Sequence, residues 1–533
     1  MSTIADAIVR RLAAHGVSHV FGYPGGQLTP IYDALHRQND IRHILARHEQ
    51  AACFMADGYA RASGKPGVCL AVCGPGAFNA ATPLATAFTD SVPVLLISGQ
   101  VHSGGLGARS GYYHENEQLA AFSGFTKLSL RLNDATEVDD AVDRAFAAMT
   151  EGRPGTAFLE VPVDVQRTEV GDPAPKPLPA AQPPRAPAAR DVEALARLLS
   201  TWQRPLLLAG GGVVTAGAEK QLADLATRLG APVLHTLMGK AALTSTHRLK
   251  AGLPWLKATS DLSNMEAFMS PLLAQADGLL AVGCRFSQAA TGSWAMKPPS
   301  SLAHIDIDPA EIGRHYATTL GVVADAARTL EELLERLPTS PRPPWLLPDP
   351  PARAWQLPDL DLVGSLRQAL PRDAIVVADI TRLSYILLSE FPVYESRTFL
   401  HPAGFVSMGF GIPAALGARA AMPQCTIVVV AGDGCFLMSG MELASAVQER
   451  LPIVVVLIND GSLSLIKAIQ HRRYNDRFIG VDLKNPDFAM FARSFGVRSW
   501  QVSDDAAFKD ALAHAIACGA PALVEVRLPG SLA

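Results

Sequence analysis

Short runs of aliphatic and β-branched residues alternate with amphipathic stretches along the whole chain, and this alternation constrains the fold more than any other feature. Examples are Val68–Val72 and Val94–Ile97, then Pro205–Ala209 and Gly278–Val282, then Ile375–Ala378, Thr426–Val430 and Ile453–Ile458. Each run is apolar at successive rather than alternate positions, which is the pattern of strands buried on both faces. Helical stretches between them imply an α/β fold, with helices covering both faces of mostly parallel sheets. Two stretches break the alternation, Gly171–Arg190 (GDPAPKPLPAAQPPRAPAAR) and Thr339–Arg353 (TSPRPPWLLPDPPAR). Proline at that density suits semi-rigid spacers rather than element interiors. A chain of 533 residues is too long for one core. The spacers divide it into 1–170, 188–338 and 355–533, each of ordinary domain size at about 150–180 residues. The expectation is three consecutive doubly wound domains.

Apolar residues make up 49% and charged residues 18%, the balance of a well-packed globular protein. A net charge of −4 with no long basic run gives no support for a nucleic-acid partner. The seven cysteines are scattered without a CxxC pair, which argues against a zinc site or a disulfide framework and for a reducing compartment. The N-terminal apolar residues Ile4, Ile8, Val9 and Leu12 have helical spacing interrupted by Asp6, Arg10 and Arg11, unlike a signal peptide. The longest apolar runs fall well short of the roughly 20 residues a membrane span needs. A cytoplasmic protein without a membrane partner is expected.

The sharpest motif lies in the third part. The strand Thr426–Ala431 runs into Gly432-Asp433-Gly434 and then a helical pattern. Glycines allow close backbone approach, a helix N-terminus favours anionic oxygens, and aspartate is a hard oxygen ligand for Mg²⁺ or Ca²⁺. A second strand, Ile453–Ile458, ends at Asn459-Asp460-Gly461-Ser462. If the two strands are adjacent, both ends lie on the sheet edge where α/β ligands bind. A lone Gly-Asp-Gly fits a plain strand-to-helix turn equally well, and the pairing of Asp433 with Asp460 is what sharpens the signal. In the first part, Glu49 opens a helix containing Ala52, Met55, Ala56 and Tyr59. Alone it reads as an acidic residue favoured by the helix dipole.

Taken in order, Gly22-Tyr23-Pro24-Gly25-Gly26, Arg47-His48-Glu49, Cys73-Gly74-Pro75-Gly76 with Asn79, and the Asp433/Asp460 pair resemble the thiamine-diphosphate-dependent acetohydroxyacid (acetolactate) synthase large-subunit family. The resemblance extends over nearly the whole chain. It includes Gly210-Gly211-Gly212, Thr236–Gly239, Gly283-Cys284-Arg285-Phe286 and His304–Asp308 in the middle, and Gly404, Met408–Gly411 and Pro413 in the third part. It implies that Asp433, Asp460 and a backbone oxygen of Ser462 bind Mg²⁺ or Ca²⁺. Gly432, Gly434, Cys435, Leu463, Ser464 and Leu465 would surround the cofactor's diphosphate end. It implies that Glu49 contacts N1′ of the aminopyrimidine ring, with Pro24, Gly76 and Asn79 nearby and Gly25 and Gly26 over the reactive carbon. Met408 falls on the apolar residue that wedges between the two rings; core packing is the plain alternative for a methionine, and within the resemblance the wedge is the favoured role. The chain departs from the family in having Asp460 where most members have Asn, and Arg382 where many have Gln.

The activity implied is a 2-oxo acid decarboxylase or carboligase with pyruvate as the default donor. The alternative is a lyase or hydrolase of hydroxyketones or diketones on the same cofactor. A noncatalytic nucleotide-binding protein would need a GxGxxG after its first strand, which Gly210–Gly212 does not supply. The implied substrate pocket differs from that of the synthases. Tyr113-His114-Glu115 replaces Phe-Gln-Glu, placing a titratable imidazole at a catalytic position. Gln27 stands where Ala is common, Ile469 replaces a tryptophan, and Ile466 and Lys467 line up with pocket residues. FAD, carried by many synthases, is weighed against by Gly252-Leu253-Pro254-Trp255 in place of Gly-Met-His-Gly, although Arg285, Asp306 and Asp308 resemble part of that site. The family comparison also implies a homodimer or homotetramer with active sites between subunits.

Overall fold

The computed structural model describes residues 2–107, 111–171, 176–180, 182–254, 270–348 and 360–528. Trp255 and the proline-rich positions 172–175, 181 and 349–353 lie outside these.

The chain forms three six-stranded sheets in succession. The first contains β1 His19–Gly22, β2 Arg42–Leu45, β3 Gly67–Ala71, β4 Val94–Gln100, β5 Leu128–Arg131 and β6 Thr156–Pro162, ordered β2-β1-β3-β4-β6-β5. The second contains β7 Pro205–Ala209, β8 Val233–His235, β9 Lys250–Gly252, β10 Gly278–Val282, β11 Leu302–Asp306 and β12 Leu320–Val323, ordered β12-β11-β10-β7-β8-β9. The third contains β13 Ile375–Ala378, β14 Phe399–Leu400, β15 Ile427–Gly432, β16 Val454–Asn459, β17 Arg498–Val502 and β18 Ala522–Arg527, ordered β14-β13-β15-β16-β18-β17. Neighbouring strands pair in parallel, as the continuous apolar runs require. The fold class read from the sequence is therefore the one observed. The proline-rich spacer ends earlier than its composition suggests, because the helix Ala189–Thr201 already includes Ala189 and Arg190. No described helix is long and apolar enough to cross a membrane.

The first and third sheets are not independent. One apolar cluster runs from Phe21, Phe54, Met55 and Leu96 to Phe410, Ile412, Val429 and Leu457, so the two domains share a core. Its centre is the crossing of helix Glu49–Ser63 with helix Gly411–Ala421. Both are rich in alanine and glycine, which lets the backbones come into contact. A Cβ on Gly58 would lie 2.0 Å from the Ala414 carbonyl oxygen, and one on Gly417 would lie 1.8 Å from that of Met55. Phe54 meets Phe410 edge to face at 5.5 Å, which suits their ring quadrupoles. Below them Arg61 is buried with Asp57 and with Asp90 (2.9 Å), and donates to the His401 carbonyl at 3.1 Å. The central domain keeps separate cores on the two faces of its sheet. Docking of the first domain on the third fixes where the start of helix Glu49–Ser63 sits.

The close crossing leaves no room for a methyl group. Gly417→Ala is expected to lower stability by about 3 kcal/mol or more, the upper range for overpacking. Urea unfolding followed by circular dichroism measures this, and an unchanged midpoint would contradict it.

Candidate active site

Strands β15 and β16 are neighbours in register, with Gly432 opposite Ile458. Asp433 and Asp460 therefore emerge at adjacent strand ends. Asp433 begins helix Asp433–Ser439 and is buried. Its Oδ1 accepts from the Gly434 amide at 2.8 Å, and its Oδ2 accepts from the Gly461 amide at 2.9 Å and from Asn485 Nδ2 at 2.7 Å. Burial pushes this carboxyl above the usual range, and the charge of Asp460 adds to the push. Asp460 accepts from the Ser462 amide at 3.1 Å and from the Ser464 hydroxyl. Ser462 Oγ and Asn485 Oδ1 are buried without a partner. Two carboxylates at adjacent strand ends, beside orphan oxygens, fit a hard divalent cation. Among the described residues no group of three His, Cys, Asp or Glu could hold a metal. A cation here would complete its shell with neutral and ligand oxygens. Asn485 carries no motif signal and was not foreseen.

A cavity of about 160 Å³ opens beside the pair. Its lining includes Gly432, Gly434, Cys435, Leu463, Ser464, Leu465 and Ile466, together with Met408 and Arg382. A Cβ on Gly434 would stand 2.8 Å from Leu463 Cδ2 and 3.3 Å from Met408 Cε, so glycine keeps this cradle open. Asp379, at the end of β13, holds the Met408 turn. Its Oδ1 accepts from the Gly409 amide at 3.1 Å and its Oδ2 from the Gly411 amide at 2.8 Å. This residue too was missed. Its place at a strand end, like that of Asp433, is the signal that could have revealed it. Arg382 lies in the field of Asp460. Lys467 is engaged by Asp482 at 2.7 Å and lies 5.4 Å from the centre of the Phe478 ring.

Glu49 is the first residue of its helix. His48 precedes it as the cap, with Nδ1 accepting from the Gln50 amide at 3.1 Å. The Glu49 carboxyl accepts from Asn79 Nδ2 at 3.0 Å. A Cβ on Gly76 would sit 2.9 Å from Glu49 Oε1, and one on Gly25 would sit 2.5 Å from Val72 Cβ. Glu49, Asn79, Gly76, Val72 and Gly25 thus form one cluster, with Pro24 and Gly26 exposed at its edge. His114 packs on Gly74, where an added Cβ would meet its own at 3.1 Å. Its backbone is left-handed (φ 71°), and its Nδ1 is buried without a partner. The Tyr113 ring stacks on the imidazole at 3.9 Å and is itself 78% exposed. Gln27 is half-buried, its carbonyl accepting from Gln166 Nε2 at 2.7 Å.

Within one chain these two groups do not meet. All residues lining the Asp433 cavity belong to the third domain. Apolar side chains stand uncovered next to both groups in the chain: Tyr23 and Phe78 beside the Glu49 cluster, and Ile466 and Ile479 beyond the Asp460 loop, the last 81% exposed.

A second cavity, of about 180 Å³, lies against the central domain, lined by Gly211, Gly212, Arg285, Asp306 and Asp325 together with Arg153 of the first domain and Gly404 of the third. Burial pushes the Asp306 carboxyl up to about 6. Asp308 is not part of this lining and instead caps the turn at Ala310. Two arginines and a buried carboxyl suit the phosphates and ribose of a nucleotide, whereas none of residues 252–254 reaches the lining.

Residues 2–121, 192–333 and 379–526 match, respectively, the N-terminal binding, central and C-terminal binding domains of thiamine pyrophosphate enzymes. The chain is 35% identical to the acetolactate synthase large subunit of Parasynechococcus marenigrum, covering 98% of this chain and 87% of that one. It is 33% identical to the acetolactate synthase of Arthrospira platensis, covering 99% and 94%. Among solved structures, the thiamine diphosphate-dependent 4-hydroxybenzoylformate decarboxylase of Rhodococcus jostii RHA1 superposes with a TM-score of 0.87 at 25% identity over the full length of both chains.

A further carboxylate supports the Glu49 segment from the third domain. Glu442 is fully buried and accepts from the Arg47 amide at 2.9 Å and from Ser445 Oγ at 2.7 Å. Burial raises its pKa from 4.5 to about 7. The folded state therefore holds a proton that the unfolded chain releases. This contribution is complete below about pH 4.5 and is lost as pH rises through about 7, on the order of 3 kcal/mol at most. Glu442→Gln cannot ionise, so its stability should gain on that of the parent across this window. Parallel urea curves with a constant difference from pH 5 to about 7 would contradict the assignment.

Proposed function

This chain belongs to the thiamine pyrophosphate enzyme family, and we propose that within it the protein is a Mg²⁺-dependent, acetolactate-synthase-like decarboxylase and carboligase of 2-oxo acids, with pyruvate as the default donor. The observation that carries the reading is the pair Asp433 and Asp460 at neighbouring strand ends, beside a glycine-lined cavity and orphan oxygens. When bound, thiamine diphosphate supplies an acidic thiazolium carbon and an electron sink for bond changes next to a carbonyl. The side chains of Asp433 and Asp460, with a backbone oxygen of Ser462, hold the cation. Gly432, Gly434, Cys435 and Leu463–Leu465 close around the diphosphate, where Arg382 offsets part of the negative charge added by Asp460. Met408, fixed through the Asp379 clasp, would pack against the cofactor. Glu49, oriented by Asn79, would hold a proton toward N1′ of the aminopyrimidine. Gly25 and Gly26 leave space above the reacting carbon.

His114, Tyr113, Gln27 and Ile466 shape the acceptor side. An imidazole with a free buried nitrogen can deliver a proton to the product carbon, which favours aldehyde release over ligation. The 4-hydroxybenzoylformate decarboxylase among the structural relatives makes decarboxylation a real competitor to carboligation in this pocket. Lys467 is less available to a substrate carboxylate while Asp482 holds it. The reading proceeds without a flavin and places the enzyme in the cytoplasm, where its free cysteines stay reduced.

A complete site brings the Glu49 cluster of one subunit to the Asp433 cavity of another and covers the apolar side chains beside both. A homodimer is the minimum assembly and a homotetramer is compatible with it.

With thiamine diphosphate and Mg²⁺ supplied, a panel of 2-oxo acids is expected to yield CO₂ together with an aldehyde or a hydroxyketone. Glu49→Gln should lower kcat/KM by about 10²–10⁴-fold while leaving the cofactor bound. Unfolding and reassembling it with an equal amount of Asp433→Ala should restore about one quarter of the parent activity, from hybrid dimers with one intact site. No CO₂ from any acid despite bound cofactor would overturn the decarboxylase reading. Failure of the mixture to recover would overturn the shared site.

A further inference from the structure

Where the three domains meet there is a third cavity, of about 200 Å³, separate from the Asp433 cavity. It adjoins the Asp306 cavity along a shared wall that runs from Asp90 and Pro154 through Gly211 and Thr215 to Leu237 and Met238, and extends from there toward Arg61, Lys240 and Arg397. Three basic side chains face it: Arg61 from the first domain, Lys240 from the central one and Arg397 from the third. Its one carboxylate is Asp90. That group is already saturated by Arg61 at 2.9 Å and by the Ala403 and Gly404 amides at 2.9 and 2.8 Å.

Arg397 and Lys240 have no such partner. Arg397 donates only to the carbonyls of Arg61 (3.4 Å) and Val214 (3.1 Å). Lys240 is 4% exposed; among the described residues it donates to the Leu388 carbonyl at 2.7 Å and its Nζ lies 5.2 Å from the centre of the Phe399 ring. Neither forms an ion pair with a described carboxylate. Glu219 and Glu390 act on them only at longer range. Arg397 also keeps a left-handed backbone (φ 59°), which aims its side chain at the junction at a conformational cost. Burying cationic groups against carbonyls and one aromatic ring, without a carboxylate, is unfavourable, and an anion between them would relieve it. The rest of the wall is apolar, including Val214, Leu237 and Phe399.

We propose that this junction cavity binds a small carboxylate with a short apolar body, its oxygens between Arg397 and Lys240 and its body against Val214, Leu237 and Phe399. Such a ligand touches the central and third domains and stiffens their junction. The inference is independent of which 2-oxo acid the enzyme uses.

The test is thermal unfolding of the enzyme saturated with thiamine diphosphate and Mg²⁺, with isovalerate as the probe and sodium chloride and sodium phosphate at equal ionic strength as controls. Isovalerate should raise the midpoint by about 2–4 °C beyond either salt. The increment should vanish in Arg397→Gln and in Val214→Trp. The second variant fills the cavity while keeping every charge, and it decides the matter if the first does not fold. Equal shifts from all three salts, or an isovalerate increment that survives in Val214→Trp, would overturn the proposal.

Discussion

The whole arrangement depends on two carboxylates brought to one sheet edge, one of them buried beside the charge of the other. Parallel pairing of β15 with β16 delivers Asp433 and Asp460 to adjacent strand ends, and burial together with the neighbouring Asp460 charge raises the cost of ionising Asp433. Amides of Gly434, Gly461 and Ser462 and the Asn485 side chain offset part of that cost. In the proposed function a divalent cation offsets the remainder and in turn offers a handle for a diphosphate. The glycines on either side of Asp433 follow from the same demand, because any Cβ at Gly434 would intrude on Leu463 and Met408.

The second requirement is placement of a distant glutamate. Glu49 opens the helix that crosses Gly411–Ala421 at backbone contact, so the position of the first domain's active carboxyl is set by packing on the third. Glu442 reaches across that boundary to the Arg47 amide and ties down the same segment. The Asp379 clasp plays the matching part on the other side, holding the turn that carries Met408. These contacts fix the two groups at separate places on one chain, as the proposed site between subunits requires.

Much of this was legible in the residue order. Continuous apolar runs marked seven of the eighteen described strands, β3, β4, β7, β10, β13, β15 and β16, and the Asp433/Asp460 pair stood out because both lie just past such runs. Glu49 was visible as the start of a helix, and its meaning came from the company it keeps. Asp379, Asn485 and Glu442 were not legible, since each acts through a partner far along the chain: Asp379 on Gly409 and Gly411, Asn485 on Asp433, Glu442 on Arg47. Their residue types carry no periodicity, and only the folded register brings them to their partners. The engagement of Lys467 by Asp482 belongs to the same class of tertiary facts.

The central claim concerns the cation grip, and calorimetric titration of thiamine diphosphate into the metal-free protein, with and without Mg²⁺, tests it most directly. The account predicts tight binding only when Mg²⁺ is present, and loss of at least about 100-fold in affinity in Asp433→Ala, in line with removal of a buried charged ligand to a metal-held anion. Equal affinity with and without the metal, or unchanged affinity in Asp433→Ala, would contradict it.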